Sequence, residues 1–80
     1  MYTVYLIRSS KFPNEKYIGF TEDLETRLQS HNNGQSVHTE KSRLWKLVCR
    51  IDFQDKKQAL DFEHYLKSGS GRAFAQKRLW

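Results

Sequence analysis

The sequence predicts a small α+β domain, a three-stranded antiparallel sheet flanked by helices in the order ββαβαα. Three observations carry this. Residues 2–8, 16–20 and 44–53 are rich in β-branched and aromatic side chains, the composition of strands. Residues 23–31 and 55–67 place apolar residues at helical spacing. No Pro-, Gly- or Ser-rich tract is long enough to separate two units, so residues 1–80 read as one domain.

Each element has its own justification. YTVYLIR, residues 2–8, presents Tyr2, Val4 and Leu6 to one side and Thr3, Tyr5 and Ile7 to the other. Both sides are largely apolar, as in a strand covered on both faces. SSKFPNEK then supplies a turn, with Pro13 fixing φ and Asn14 tolerating tight geometry. Lys16 to Phe20 forms the second strand, antiparallel to the first. The first helix runs from Asp23 to His31, with Thr21 or Asp23 as its cap, and HNNGQ ends it at Gly34. After a polar segment, Leu44 to Phe53 forms the third strand, where Trp45, Leu47, Cys49, Ile51 and Phe53 alternate with more polar neighbours. Asp55 caps the second helix, with Gln58 at capping-box spacing. That helix reaches Lys67 and breaks at SGSG. RAFAQKRLW forms a short basic helix with Ala73, Phe74 and Leu79 available to dock.

Composition narrows the function. Lys and Arg number 14 against 9 Asp and Glu, a net charge of +5 that favours a polyanionic partner. A single cysteine, Cys49, excludes an internal disulfide and a thiolate metal cage, and points to a reducing cytoplasmic compartment. The longest apolar run, Val4 to Ile7, falls far short of the ~20 residues of a membrane span. The N-terminus lacks the layout of a signal peptide. A soluble cytoplasmic protein with no membrane partner is the expectation, either a monomer or a weak homodimer.

Both long helices carry a polar residue where a leucine belongs. The buried stripe of the first reads Leu24, Arg27, Leu28, His31. That of the second reads Ala59, Phe62, Glu63, Leu66. A bare carboxylate on an apolar face costs several kcal/mol unless something pairs it. The plain alternative is that Glu63 reaches water at the stripe's edge and Arg27 snorkels along its own stem. Two such positions on helices packing against one small sheet weaken that alternative, because broken local rules cluster at functional sites. On the sheet, Tyr17 and Gly19 share one face, and a strand glycine often marks the close approach of a ligand or another backbone.

The run Thr3-Val4-Tyr5, then Tyr17-Ile18-Gly19, Arg27, His31 and Glu63 resembles the GIY-YIG nuclease superfamily, in particular its small stand-alone bacterial members. It is similar in layout to the nuclease domain of the bacterial excision-repair endonuclease and to some homing endonucleases. The resemblance spans nearly the whole chain, through YIGFT, DLETRLQSHNNG, the Trp45 strand and ALDFEHYLKSGSG. It implies an endonuclease hydrolysing phosphodiester bonds in DNA with one Mg²⁺ or Mn²⁺ ion, in repair or recombination. In that reading Glu63 holds the metal, one motif tyrosine (Tyr5 or Tyr17) deprotonates the attacking water, Arg27 faces the scissile phosphate, and His31 with the other tyrosine relays or positions protons. Arg's planar donor fork suits phosphate, and Mg²⁺ commonly takes one or two carboxylates plus water and phosphate.

The chain departs from the family pattern at three places. Thr3 stands where the family name has glycine, Phe20 follows the YIG where some relatives carry a lysine, and Gln76 stands near the position of a family asparagine. With Gly19 leaving room for substrate, Thr39, Lys41, Arg72, Gln76 and Lys77 are the candidate substrate-binding residues. His38 and Thr39 match a pair common in the small relatives; a plain surface loop is the alternative. Lys41, Arg43, Lys46, Arg72, Lys77 and Arg78 could track a phosphate backbone, or form a solvated basic surface. His64 and Cys49 read as structural. The rival to a nuclease is a nucleic-acid-binding module of the same fold whose chemistry has lapsed, which would be free to lose Glu63.

Overall fold

The computed structural model describes residues 1–33 and 44–80. The expected helix stop at Gly34 and the roles expected of His38, Thr39, Lys41 and Arg43 lie outside the described residues. The elements are β1 (Tyr2–Ser9), β2 (Lys16–Thr21), α1 (Leu24–Asn32), β3 (Trp45–Phe53), α2 (Lys56–Leu66) and α3 (Gly69–Arg78). The sheet is antiparallel throughout with order β2-β1-β3. Among the described residues no helix is long and apolar enough to cross a membrane.

β1 is the centre of the molecule, and its double-sided apolar pattern is the reason. Val4 and Leu6 face α2 and α3, joining Ala59, Leu66 and Ala75 in one core cluster. Tyr5 and Ile7 face α1, joining Leu24 and Trp45 in another. Each buried Val or Leu contributes about 1.5–3 kcal/mol relative to exposure. Thus α1 and α2 do pack on one sheet, but on opposite faces of it.

Three local features depart from the sequence reading. The alternation expected along the third strand is interrupted: Leu6 pairs Cys49 while Ile7 pairs Leu47, leaving Val48 as the extra residue of a bulge. The bulge flips the pattern, so Trp45 and Leu47 serve the α1 face while Cys49, Ile51 and Phe53 serve the other. Leu44, expected as the first strand residue, has φ 72 and stands outside the strand; a positive φ is incompatible with an extended backbone. The SGSG segment does end α2, yet it is also the first turn of α3. Ser68 caps that helix, its Oγ accepting from the Gly71 N–H at 3.3 Å. The helix phase therefore buries Gly71 and Ala75, and Ala73 is exposed. A Cβ on Gly71 would lie 1.6 Å from the Tyr65 carbonyl oxygen, so only glycine lets α3 turn this tightly off α2.

Candidate active site

The site begins with the cap of α1. The Asp23 carboxylate accepts from the Thr26 N–H at 3.2 Å and from its hydroxyl at 2.9 Å, and these bonds hold its pKa below the usual range. Starting the helix there sets its phase: Leu24, Arg27, Leu28 and His31 turn toward the sheet. The far end is tied by a residue the sequence reading missed. Asn32 bonds both the N–H and the carbonyl of Trp45, locking the end of α1 to the start of β3. No periodicity argument singles out an asparagine beside a helix stop.

On the sheet, the register places Tyr5 opposite Gly19 and Ile7 opposite Tyr17, so both tyrosines share the α1 face. Their rings lie 6.2 Å apart. His31 lies against both, 4.9 Å from the Tyr17 ring and 5.8 Å from the Tyr5 ring. The Tyr5 hydroxyl is 2.9 Å from His31 Nε2, and Arg27 Nε–H donates to that same hydroxyl at 3.3 Å. A Cβ on Gly19 would fall 2.4 Å from the Tyr5 hydroxyl and 2.9 Å from the Tyr17 ring. The glycine gap is thus filled by the phenol itself. The sequence-predicted Tyr5, Tyr17, Gly19, Arg27 and His31 form one cluster.

Electrostatics divides the roles. Burial and the Arg27 cation push the His31 imidazole down to about 4, so it is neutral at neutral pH and its Nε2 can accept the Tyr5 proton. Burial raises the Tyr5 phenol, against the opposing pull of the Arg27 hydrogen bond. Tyr5 therefore stays protonated, with its oxygen engaged by both neighbours. Arg27, its pKa raised mainly by the bond to Tyr5 and further by Tyr17, is a permanent cation here.

Glu63 comes from the other side of the sheet. It is only 7% exposed on the α2 stripe, as the sequence predicts. It is not uncompensated, however: its carboxylate pairs with Lys67 one turn on, and His64 Nε2 lies 3.6 Å from Oε1. His64, read as structural, is exposed and touches this carboxylate. Toward the α1-side cluster the Glu63 charge adds only slightly to the raised Tyr5 pKa, which burial dominates. Among the described residues no group of three or more His, Cys, Asp or Glu could hold a metal. One buried carboxylate fits only a hard ion such as Mg²⁺, whose remaining positions go to water and phosphate.

Of the expected substrate-binding residues on α3, Arg72 lines a cleft that Tyr17 of the cluster also lines. Arg72, Gln76 and Lys77 are exposed. Gln76 accepts from Lys16 Nζ at 3.2 Å, which joins α3 to the edge strand β2.

The chain belongs to the GIY-YIG family: the family's model, described as the GIY-YIG catalytic domain, matches residues 1–78. It is 42% identical over 73 residues to the structure-specific endonuclease subunit SLX1 of Debaryomyces hansenii, covering 82% of this chain and 21% of that protein. It is 37% identical over 67 residues to the UPF0213 protein YsiG of Lactococcus lactis subsp. lactis, covering 82% of this chain and 62% of that one. The chain thus spans about a fifth of the length of the SLX1 relative and less than two thirds of YsiG. The three-stranded sheet with its helices is the fold that the family resemblance implied.

Proposed function

We propose that this chain is a divalent-metal-dependent endonuclease that hydrolyses phosphodiester bonds in DNA, in repair or recombination. The observation that carries the reading is the linked set Arg27–Tyr5–His31 seated over Gly19, with Tyr17 alongside. A purely structural core would not place a permanent guanidinium among buried phenols. The domain match and the endonuclease name of the SLX1 relatives support it.

The two tyrosines take different parts. Tyr5 is fully buried, protonated and bonded on both sides, so it orients rather than reacts. Tyr17 is half-buried and lines an open cleft, which makes it the group able to take a proton from an attacking water. Arg27 interacts with both phenols. The water oxygen forms the new bond to phosphorus, Tyr17 takes its proton, and the ester oxygen leaves and is protonated from solvent. Arg27 stabilises the charge that builds on the phosphoryl oxygens. His31 fixes the Tyr5 hydroxyl, which in turn holds Arg27. Glu63 would hold the Mg²⁺ or Mn²⁺ ion, which when bound supplies Lewis-acid polarisation of the phosphate.

Arg27→Ala tests this. Cleavage of labelled duplex, flap and junction DNA should fall by about 10²–10³-fold or more, while binding in EDTA weakens only modestly. Undiminished cleavage by the variant would remove Arg27 from the site. Binding without cleavage by the parent chain in both Mg²⁺ and Mn²⁺ would overturn the enzymatic reading.

A further inference from the structure

A row of cations crosses the sheet on the face opposite the tyrosine cluster. The register pairs Arg8 of β1 with Lys16 of β2 on one side and with Lys46 of β3 on the other. Like charges directly opposite each other in a sheet are destabilising. No carboxylate offsets them: among the described residues Arg8, Lys16 and Lys46 have no acidic partner. The Arg8 Nε–H is buried without a hydrogen-bond acceptor, a state that costs free energy and calls for an explanation. What sits beside the row instead is Trp80, with Arg8 Cζ 5.6 Å and Lys16 Nζ 5.1 Å from its ring centroid.

Trp80 forms one wall of a cleft of about 370 Å³, with Lys16, Tyr17, Leu66, Lys67 and Arg72 around it. Two of these residues belong to the candidate active site: Tyr17 of the tyrosine cluster, and Lys67, which holds Glu63. Because successive strand residues point to opposite faces, Lys16 and Tyr17 together carry the cleft around the free edge of β2. It therefore connects the tyrosine face to the Glu63 face. A cleft this size takes one small-molecule-sized group, a single nucleotide and not a duplex.

We infer that this cleft is a subsite for one unpaired nucleotide next to the scissile bond. Lys16 and Arg72 hold its phosphate, and the Trp80 ring offers a stacking surface. Aromatic rings and backbone-tracking cations are the combination that binds single strands without sequence preference. The inference rests on the nuclease reading for its place in the reaction, and it specifies the substrate class as DNA with an unpaired strand at the cleavage position.

The experiment is a titration in EDTA, where no cleavage occurs, of short oligothymidine and of a blunt hairpin duplex with matched phosphate number. Trp45 is 5% exposed in the core, so a change of tryptophan fluorescence reports Trp80. Oligothymidine should quench the parent, and Trp80→Phe should abolish the quench while keeping a ring for folding. The duplex should quench little. Arg72→Ala, at an exposed helix position, should weaken oligothymidine about five- to tenfold and reduce its salt slope by about 0.7. No quench at saturation overturns the inference, as does an equal quench by duplex, an equal loss on both ligands in Arg72→Ala, or the same quench by inorganic phosphate alone. A chain that cleaves DNA yet shows no quench overturns the subsite and leaves the nuclease reading standing. Quenching by oligothymidine in a chain that never cleaves does the reverse.

Discussion

Alternate residues of β1 send Val4 and Leu6 to one face of the sheet and Tyr5 and Ile7 to the other, and all four are fully buried. The two faces are filled differently. Against Val4 and Leu6 lie Ala59, Leu66 and Ala75, with Ile18, Phe20, Ile51 and Phe53 around them, a core of hydrocarbon. Against Tyr5 lie a neutral imidazole, a guanidinium and a backbone glycine. Burial that yields hydrophobic stabilisation on one face goes on the other into holding polar atoms at fixed distances. The α2–α3 face keeps the small domain folded, and the α1 face can then keep groups that a stability-driven core would replace with leucines. Glu63 is a buried carboxylate on the aliphatic side, paired with Lys67, and its charge adds slightly to the raised Tyr5 pKa.

The largest expected break in this contrast comes from one methyl group. Gly19→Ala puts a Cβ within 2.4 Å of the Tyr5 hydroxyl, and that phenol, tied to His31 and Arg27, has nowhere to go. Overpacking of this kind costs about 1–3 kcal/mol, a fall in Tm of about 4–8 °C for each kcal/mol in a domain this size. Cleavage should fall with it even well below the new Tm, because the three bonded groups move together. Gly69→Ala is the control on the other face: nothing lies within 4 Å of its Cβ, so its melt should be unchanged or slightly higher. Equal melts for the two variants would show that the Tyr5 pocket has slack.

Most of this contrast was legible in the chain before the structure. The apolar residues on both sides of β1, the Tyr17–Gly19 pairing of faces and the two interrupted stripes are periodic signals, and period fixes direction. What was not legible depends on contacts between distant residues. The bulge at Val48 has no turn residue to announce it, so Trp45 and Cys49 seemed to share a face that they do not share. Lys67 and Trp80 carry no motif; one is found only as the partner of Glu63, the other only by what stacks on it. That α1 and α2 lie on opposite faces was equally hidden, since each stripe reports only that it is buried.

The next effect is a pH dependence confined to the tyrosine face. His31 titrates near 4 in the folded chain because burial, and then the Arg27 charge, disfavour its cation; its unfolded value is about 6.5. Above pH 6.5 both states are neutral and the stabilisation is complete. As pH falls below 6.5 the unfolded chain gains a proton that the folded chain refuses, so stability drops by up to about 1.4 kcal/mol per pH unit until it levels off near 4. Between pH 6.5 and 5 the loss should be roughly 1–2 kcal/mol. Asp23 and Asp52, both held below the usual carboxylate range, stay ionised through that window. Melts of the parent and of His31→Gln at several pH values separate this from other groups: the difference in slope between them is the His31 contribution. Parallel slopes would mean that His31 titrates in the fold as it does in the unfolded chain, and burial against Arg27 would then not be holding it neutral.

The smallest effect on stability, with a large one on chemistry, should come from Glu63→Gln. The carboxylate is buried, but its partner Lys67 is not: 48% of that side chain remains accessible, so the ammonium can turn to water when the charge opposite it disappears. Removing one partner of a fully buried pair costs about 3–5 kcal/mol because the other charge is stranded; here it is not stranded. The neutral amide also escapes the desolvation that the carboxylate bears, which offsets the lost attraction. The melt should therefore stay within about 1 kcal/mol of the parent. Metal-dependent cleavage should be lost, because an amide oxygen is a far weaker ligand for Mg²⁺ than a carboxylate. DNA binding in EDTA should survive or tighten slightly, since Lys67 is released into the cleft and one negative charge has gone. A large drop in Tm would show that Glu63 belongs to the aliphatic face as a structural ion pair. A fully active variant would show that the two faces are not joined through this residue at all, and the metal would have to be held elsewhere.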